Sequence, residues 1–166
     1  MNTNDTTLML LTGAGATAVT DVWALLRGCW FGTPLPNFGM VGRWVGHIAR
    51  GRLRHDSIGA AAPVRGEQAI GWITHYGIGM GFALLLPAIW GWEWARQPTL
   101  TPALIVGIAT VVAPLFVMQP AMGAGIAASR TPRPAAARLQ SVITHTVFGL
   151  GLYAAARLVN SLTAGG

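Results

Sequence analysis

Apolar residues fill four long stretches of this chain, and most of its arginines lie between them. A helix needs about 20 apolar residues to cross the hydrocarbon core of a bilayer. Residues 8–26 meet that requirement, interrupted only by Asp21. Residues 68–90 carry no formal charge and include His75. Residues 97–129 have no charged side chain but contain Pro102, Pro114 and Pro120. They predict a helix over about 100–118, then a broken or re-entrant tail through 122–128. Residues 137–158 form the fourth span, with His145 inside and Arg157 near the end.

Within the first connection, Pro34, Pro36 and Gly32 mark a turn. Val41, Trp44, Val45 and Ile48 then fall at helical i, i+3, i+4, i+7 spacing, and Arg43, His47, Arg50 and Arg54 share another face. That pattern predicts an amphipathic helix over about 38–54, lying in the headgroup layer. Arg43, Arg50, Arg52 and Arg54 are the candidates for contact with anionic lipid headgroups.

Composition narrows the class. Hydrophobic residues make up 52% of the chain and charged residues 10%, against roughly a quarter charged in ordinary soluble domains. All basic residues are arginine, and the net charge is +6. Their position between apolar runs fits membrane orientation, and nucleic acid is not an expected partner. Cys29, the single cysteine, excludes an internal disulfide. No basic residue precedes the first apolar stretch, so that stretch is not read as a secretory signal peptide.

The connections also set an orientation. Arg27, Arg43, Arg50, Arg52, Arg54 and Arg65 lie between spans one and two, and Arg130, Arg133 and Arg138 between spans three and four. Only Arg96, beside Glu93, lies between spans two and three. The positive-inside bias puts the first and third connections in the cytoplasm and both termini opposite, in a periplasm. Trp90, Trp92 and Trp94 at one end of span two and Trp72 at the other occupy aromatic-belt positions.

The chain repeats one phrase. Residues 73–83 and 143–153 both begin Ile-Thr-His and carry glycine four and six residues after the histidine. Ala16-Thr17 can be laid over Ala109-Thr110, which sets Asp21 opposite Pro114. Together these predict a parallel two-plus-two repeat about an axis along the membrane normal. At a 1.5 Å rise per residue, Asp21 lies about 8 Å and His75 about 10 Å from the inner ends of their spans, with His145 at similar depth. An ionisable side chain in lipid costs several kcal/mol unless it faces the bundle interior and a partner.

Several functions fit such a layer. One is a site for a small ligand or ion at Asp21, His75 and His145, assisted by Thr74, Thr144 and Gln119 and open to transport. A second is a b-type haem ligated axially by His75 and His145, with Gly79 and Gly149 leaving space for the macrocycle. A third is a divalent transition metal held by the two histidines and Asp21. A structural or accessory subunit, whose polar layer only specifies packing, is the remaining expectation. His55-Asp56 beside the arginines is a weaker candidate for a phosphate or headgroup. No nucleophile elbow, zincin or Walker motif occurs, which argues against a conventional enzyme. A small bundle of this size is also expected to form homo-oligomers.

Gly42-Arg43-Trp44, Gly51-Arg52-Leu53-Arg54-His55-Asp56, Gly71-Trp72 through His75-Tyr76, Gln119-Pro120 and Ala127-Ala128-Ser129-Arg130-Thr131-Pro132 are motifs in their own right. Through them the chain resembles, over nearly its whole length, a family of small uncharacterised four-span bacterial inner-membrane proteins. The resemblance implies a bacterial inner-membrane location and a four-span fold. It implies no activity, ligand or catalytic residue. The expected fold is an all-α integral membrane protein, one domain over 1–166, with four transmembrane helices and a cytoplasmic-side amphipathic helix in the first loop.

Overall fold

A computed structural model describes residues 3–164, and among them every regular element is helical. The expectation for the two termini falls partly on residues 1–2 and 165–166, outside those described. Helix α1 runs Thr3–Phe31, α2 Phe38–Ile48, α3 Glu67–Ala83, α4 Leu85–Trp90 and α5 Glu93–Arg96. Helix α6 covers Leu100–Ala109, α7 Gln119–Ala121 and α8 Pro134–Ala164.

Four helical segments are long and apolar enough to cross a membrane: Asp5–Phe31, Glu67–Trp90, Leu100–Ala121 and Pro134–Thr163. They match the four spans read from the sequence, with longer ends. The first continues past Leu26 through Arg27, because an arginine near a helix end can reach water along its stem. Leu11, Val22, Leu25, Ile73, Ile89 and Leu158 are all more than half exposed. In water such a surface would be costly, whereas a bilayer solvates it.

Proline interrupts two of the spans. Span two breaks at Leu84, between α3 and α4, because the Pro87 ring has no N–H and crowds the carbonyl four residues earlier. Span three widens into a π-helical turn over Ala113–Met118, around Pro114. The chain leaves regular helix at Met122 and bends through Gly123 (φ 96°) and Gly125 (φ 77°). Ala127 and Ala128 follow with φ of 48° and 59°, a left-handed region that alanine rarely enters. The Arg138 Nε–H donates to the Ala127 carbonyl at 2.7 Å, and Arg130 N–H to Ala124 O at 2.9 Å, which fixes the bend.

The chain divides into two compact units. The first comprises Met1–Leu35, Tyr76–Thr110 and Thr144–Gly166. Its core joins Met9, Ala16, Leu86, Trp94, Phe148 and Leu152, all nearly or fully buried. Small residues set the packing distance. A Cβ on Gly13 would meet Met80 Cα at 2.5 Å, and one on Gly15 would meet Ala155 Cβ at 2.9 Å.

The second unit comprises Pro36–His75 and Val111–Ile143. Here α2 crosses the start of α3 at Gly42 and Gly71, where any Cβ would enter backbone. Asn37 caps α2 by accepting from the Met40 N–H. At the other end, Arg52 N–H donates to His47 O and Gly51 N–H to Ile48 O, with Gly51 at φ 79°. That is a Schellman closure, and it ends α2 at Ile48. The helix expected over 38–54 is therefore shorter. Arg50, Arg52 and Arg54 lie in the following irregular segment and do not extend a helical face shared with Arg43 and His47.

Candidate functional site

In the first unit, two of the expected ionisable side chains have specific partners. The Tyr76 hydroxyl donates to Asp21 Oδ2 at 3.0 Å, joining spans two and one. His145 Nδ1 lies 3.1 Å from Thr110 Oγ1 and 3.2 Å from the Gly107 carbonyl. Thr110 Oγ1 itself donates to Gly107 O at 2.7 Å. With that proton used, Thr110 can only accept from the ring, and a carbonyl can only accept. A proton on Nδ1 suits both neighbours, and in that tautomer Nε2 of the neutral ring keeps its lone pair. Thr144, adjacent in the chain, is half-buried in the same unit.

Thr110 is positioned by the local fold. It sits at the C-terminal end of α6, just before the π-turn that Pro114 imposes. The ring of His145 also rests edge-on to Phe148, 6.5 Å between centroids, which limits its rotation.

His75, Thr74 and Gln119 belong to the second unit. The His75 ring stacks on Phe38, with centroids 4.2 Å apart and planes 29° from parallel. Trp72 packs against both, at 4.5 Å from Phe38 and 5.9 Å from His75. Gln119 Oε1 is buried without a hydrogen-bond partner. Such an acceptor is unusual in a folded protein and marks a point where a donor would be stabilising.

The basic segment departs from expectation. Arg43 is not left for headgroups: its Nε and Nη2 hold both carboxylate oxygens of Glu67, at 2.9 and 2.7 Å. Its Nη1 faces the carbonyls of Ile58, Gly59 and Ala61 at 3.1 to 3.4 Å. The Glu67 hydrogen bond, opposed by desolvation, raises the Arg43 pKa above its ordinary value. A planar fork can satisfy a carboxylate and three carbonyls together, so Arg43 knots α2, the loop and the start of α3. Arg50, Arg52 and Arg54 remain exposed.

His47, on the face expected to be shared with the arginines, and His55, the weaker headgroup candidate, are both buried. His47 Nε2 contacts Ala62 O at 3.0 Å, and its ring meets His55 edge-on at 4.9 Å. Neither ring nitrogen of His55 has a hydrogen-bond partner. Burial, then the charges of Arg52 and His47, lower the His55 pKa against smaller opposing effects from Ala121 and Asp56. The backbone there is clipped to the end of span three, by His55 N–H to Ala121 O at 2.8 Å and Ile58 N–H to Met122 O at 3.0 Å.

Three glycines of the repeat, Gly79, Gly149 and Gly151, are packing positions. A Cβ on Gly79 would collide with Thr17 Oγ1, and one on Gly149 would lie 2.9 Å from Ala103 O and 3.0 Å from Leu104 Cα. The space expected there for a macrocycle is filled by neighbouring helices. Among the described residues, no group of three or more His, Cys, Asp or Glu side chains is placed to hold a metal ion. The three-ligand metal reading gains no support from the geometry.

Sequence reasoning did not find Tyr76, Thr110 or Glu67 as partners. Thr110 left a trace, since it is the residue that overlays Thr17 in the faint match of spans one and three. Tyr76 left none, because the second copy of the repeat has Thr146 at its place.

Residues 10–159 match the family described as "Protein of unknown function (DUF2938)", and the chain belongs to that family. No curated protein and no solved structure matches the chain.

Proposed function

We propose that this DUF2938 protein is a multi-pass bacterial inner-membrane protein that binds a small ligand or ion through its intramembrane ionisable residues, Asp21 and His145 of the first unit and His75 of the second, and can pass it through the membrane. The observation that carries the reading is the pair of oxygens within hydrogen-bond distance of His145 Nδ1. Thr110 and Gly107 can both accept from Nδ1–H, and in that tautomer Nε2 is held ready as a proton acceptor or donor atom for a ligand. A histidine serving only as a packing wedge gains nothing from a favoured tautomer. The Tyr76 contact to Asp21 supports the same reading, because Asp21, like His145, has a dedicated orienting partner.

The parallel two-plus-two repeat belongs to this proposal. In support, Gly79 of span two packs on Thr17 of span one, and Gly149 of span four packs on Ala103 and Gly107 of span three. Each copy of the repeat thus uses the glycine after its histidine against the preceding span. The arginine distribution supports cytoplasmic first and third connections. The half-exposed stripe of Val41, Trp44, Val45 and Ile48 supports α2 as a helix of the inner headgroup layer.

The test is proton uptake into liposomes containing a pH-sensitive dye, driven by a potassium diffusion potential. Wild-type protein should give a saturable flux that falls by about tenfold or more in His145→Ala, with helicity unchanged. Equal flux in wild type, His145→Ala and protein-free liposomes would overturn the reading. A visible spectrum on the same sample addresses the redox alternative. A Soret band lost in both His75→Ala and His145→Ala would replace ion handling with haem chemistry.

A further inference from the structure

A cleft of about 540 Å³ opens in the first unit, lined by Arg96, Gln97, Pro98 and Thr99 on one side and Arg157, Asn160 and Ser161 on the other. Its size is that of a small-molecule site, and its walls are fixed. Asn160 Nδ2 donates to Ala95 O at 2.7 Å and to Arg96 O at 3.2 Å, tying α8 to the end of α5, where the turn to α6 begins. Trp94 Nε1 donates to Thr99 O at 3.2 Å and holds the rest of that turn.

The charge of the cleft is not internally neutralised. Arg96 has a single contact with an acid, Nη2 to Asp5 Oδ2 at 3.3 Å, and its side chain stays 62% exposed. Its Nε and Nη1 have no acidic partner among the described residues, and Arg157 is exposed with none. Neither Asp5 nor Glu93 lines the cleft. Thr99 and Ser161 add short polar side chains at the rim.

We propose that this cleft binds a phosphate-bearing anion between the Arg96 and Arg157 guanidiniums. Guanidinium forks pair with oxyanions through two parallel hydrogen bonds. Two forks from opposite walls suit phosphate, whose oxygens point in several directions, better than the coplanar pair of a carboxylate. The anion is either a free phosphate or the headgroup of an anionic phospholipid, since Trp90, exposed at the end of α4, suits a membrane interface at this end of the first unit. The site stands independently of Asp21 and the histidines.

The experiment uses the full chain in neutral detergent with two probes, inorganic phosphate and short-chain phosphatidylglycerol. Phosphatidylcholine of the same chain length is the control. Native mass spectrometry counts retained lipid, and thermal unfolding reads stabilisation by either probe. Binding of phosphate, or of phosphatidylglycerol over phosphatidylcholine, should weaken by about tenfold in Arg157→Gln and further in Arg96→Gln/Arg157→Gln. It should survive in Arg50→Gln/Arg52→Gln/Arg54→Gln. Phosphate binding identifies a free solute, and lipid binding alone identifies a headgroup. Retention of full affinity in the double variant, or binding of neither probe by wild type, overturns the proposal. Both cleft arginines are exposed, so their glutamine variants should unfold at the unliganded wild-type temperature.

Discussion

Thr110 and His145 meet through a hydroxyl whose own proton is already engaged: Oγ1 donates to Gly107 O at 2.7 Å and accepts from Nδ1 at 3.1 Å. The relationship favours the ring tautomer with its proton on Nδ1. In Thr110→Val, the Gly107 carbonyl remains the only acceptor for Nδ1. The substitution should cost about 1 kcal/mol in stability and let the second tautomer appear. Side-chain 15N resonances of His145 report this directly. A single tautomer in both proteins would remove Thr110 from its positioning role.

Gly79→Ala should destabilise the fold by about 1–3 kcal/mol, because the new methyl meets the buried Thr17 hydroxyl. Gly77 and Gly81 lie on the same helix with nothing within 4 Å of an added Cβ. Their alanine variants should stay within about 0.5 kcal/mol of wild type. Unfolding curves of the three proteins separate packing glycines from lipid-facing ones.

Acid should loosen the junction around His55. Its folded pKa lies below the ordinary 6.5 because burial, Arg52 and His47 oppose the proton. The unfolded chain takes up that proton near 6.5 and the folded chain only at lower pH, so the folded state binds fewer protons in between. Stability contributed by the neutral ring is therefore complete above 6.5 and is lost as pH falls toward the folded value. His55→Leu should flatten the fall below 6.5. Thermal unfolding across pH 5 to 8 in both proteins tests this, and an unchanged slope would assign the pH dependence to other groups.

Arg43→Lys should lower the unfolding temperature nearly as much as Arg43→Ala. The guanidinium serves both Glu67 oxygens and three carbonyls, a geometry that an ammonium cannot reproduce. Limited proteolysis should then cut faster within residues 58–66. A lysine variant as stable as wild type would mean that charge alone holds the loop.

The four spans were legible because bilayer thickness demands length and apolarity, and both are local properties of sequence. The break at Leu84 and the π-turn were half-legible, since Pro87 and Pro114 announce a disturbance but not its form. The true end of α2 was written in Gly51, the residue that a Schellman closure needs, but the stripe through Arg54 masked it. The site was less legible. Tyr76 reaches Asp21 across 55 residues of chain, and Arg43 reaches Glu67 across 24. Partner choice at such separations is set by helix packing. Arg43 and His47 were expected on one face toward the headgroups because helical spacing reports which residues share a face, and not which face finds a neighbour.

The glycine contacts also limit what can pass. Where Gly79 meets Thr17 and Gly149 meets Ala103, each pair of spans closes to backbone distance. Neither seam leaves room for a hydrated cation or an organic solute, so the closeness of the helices there bars both before any charged group is reached.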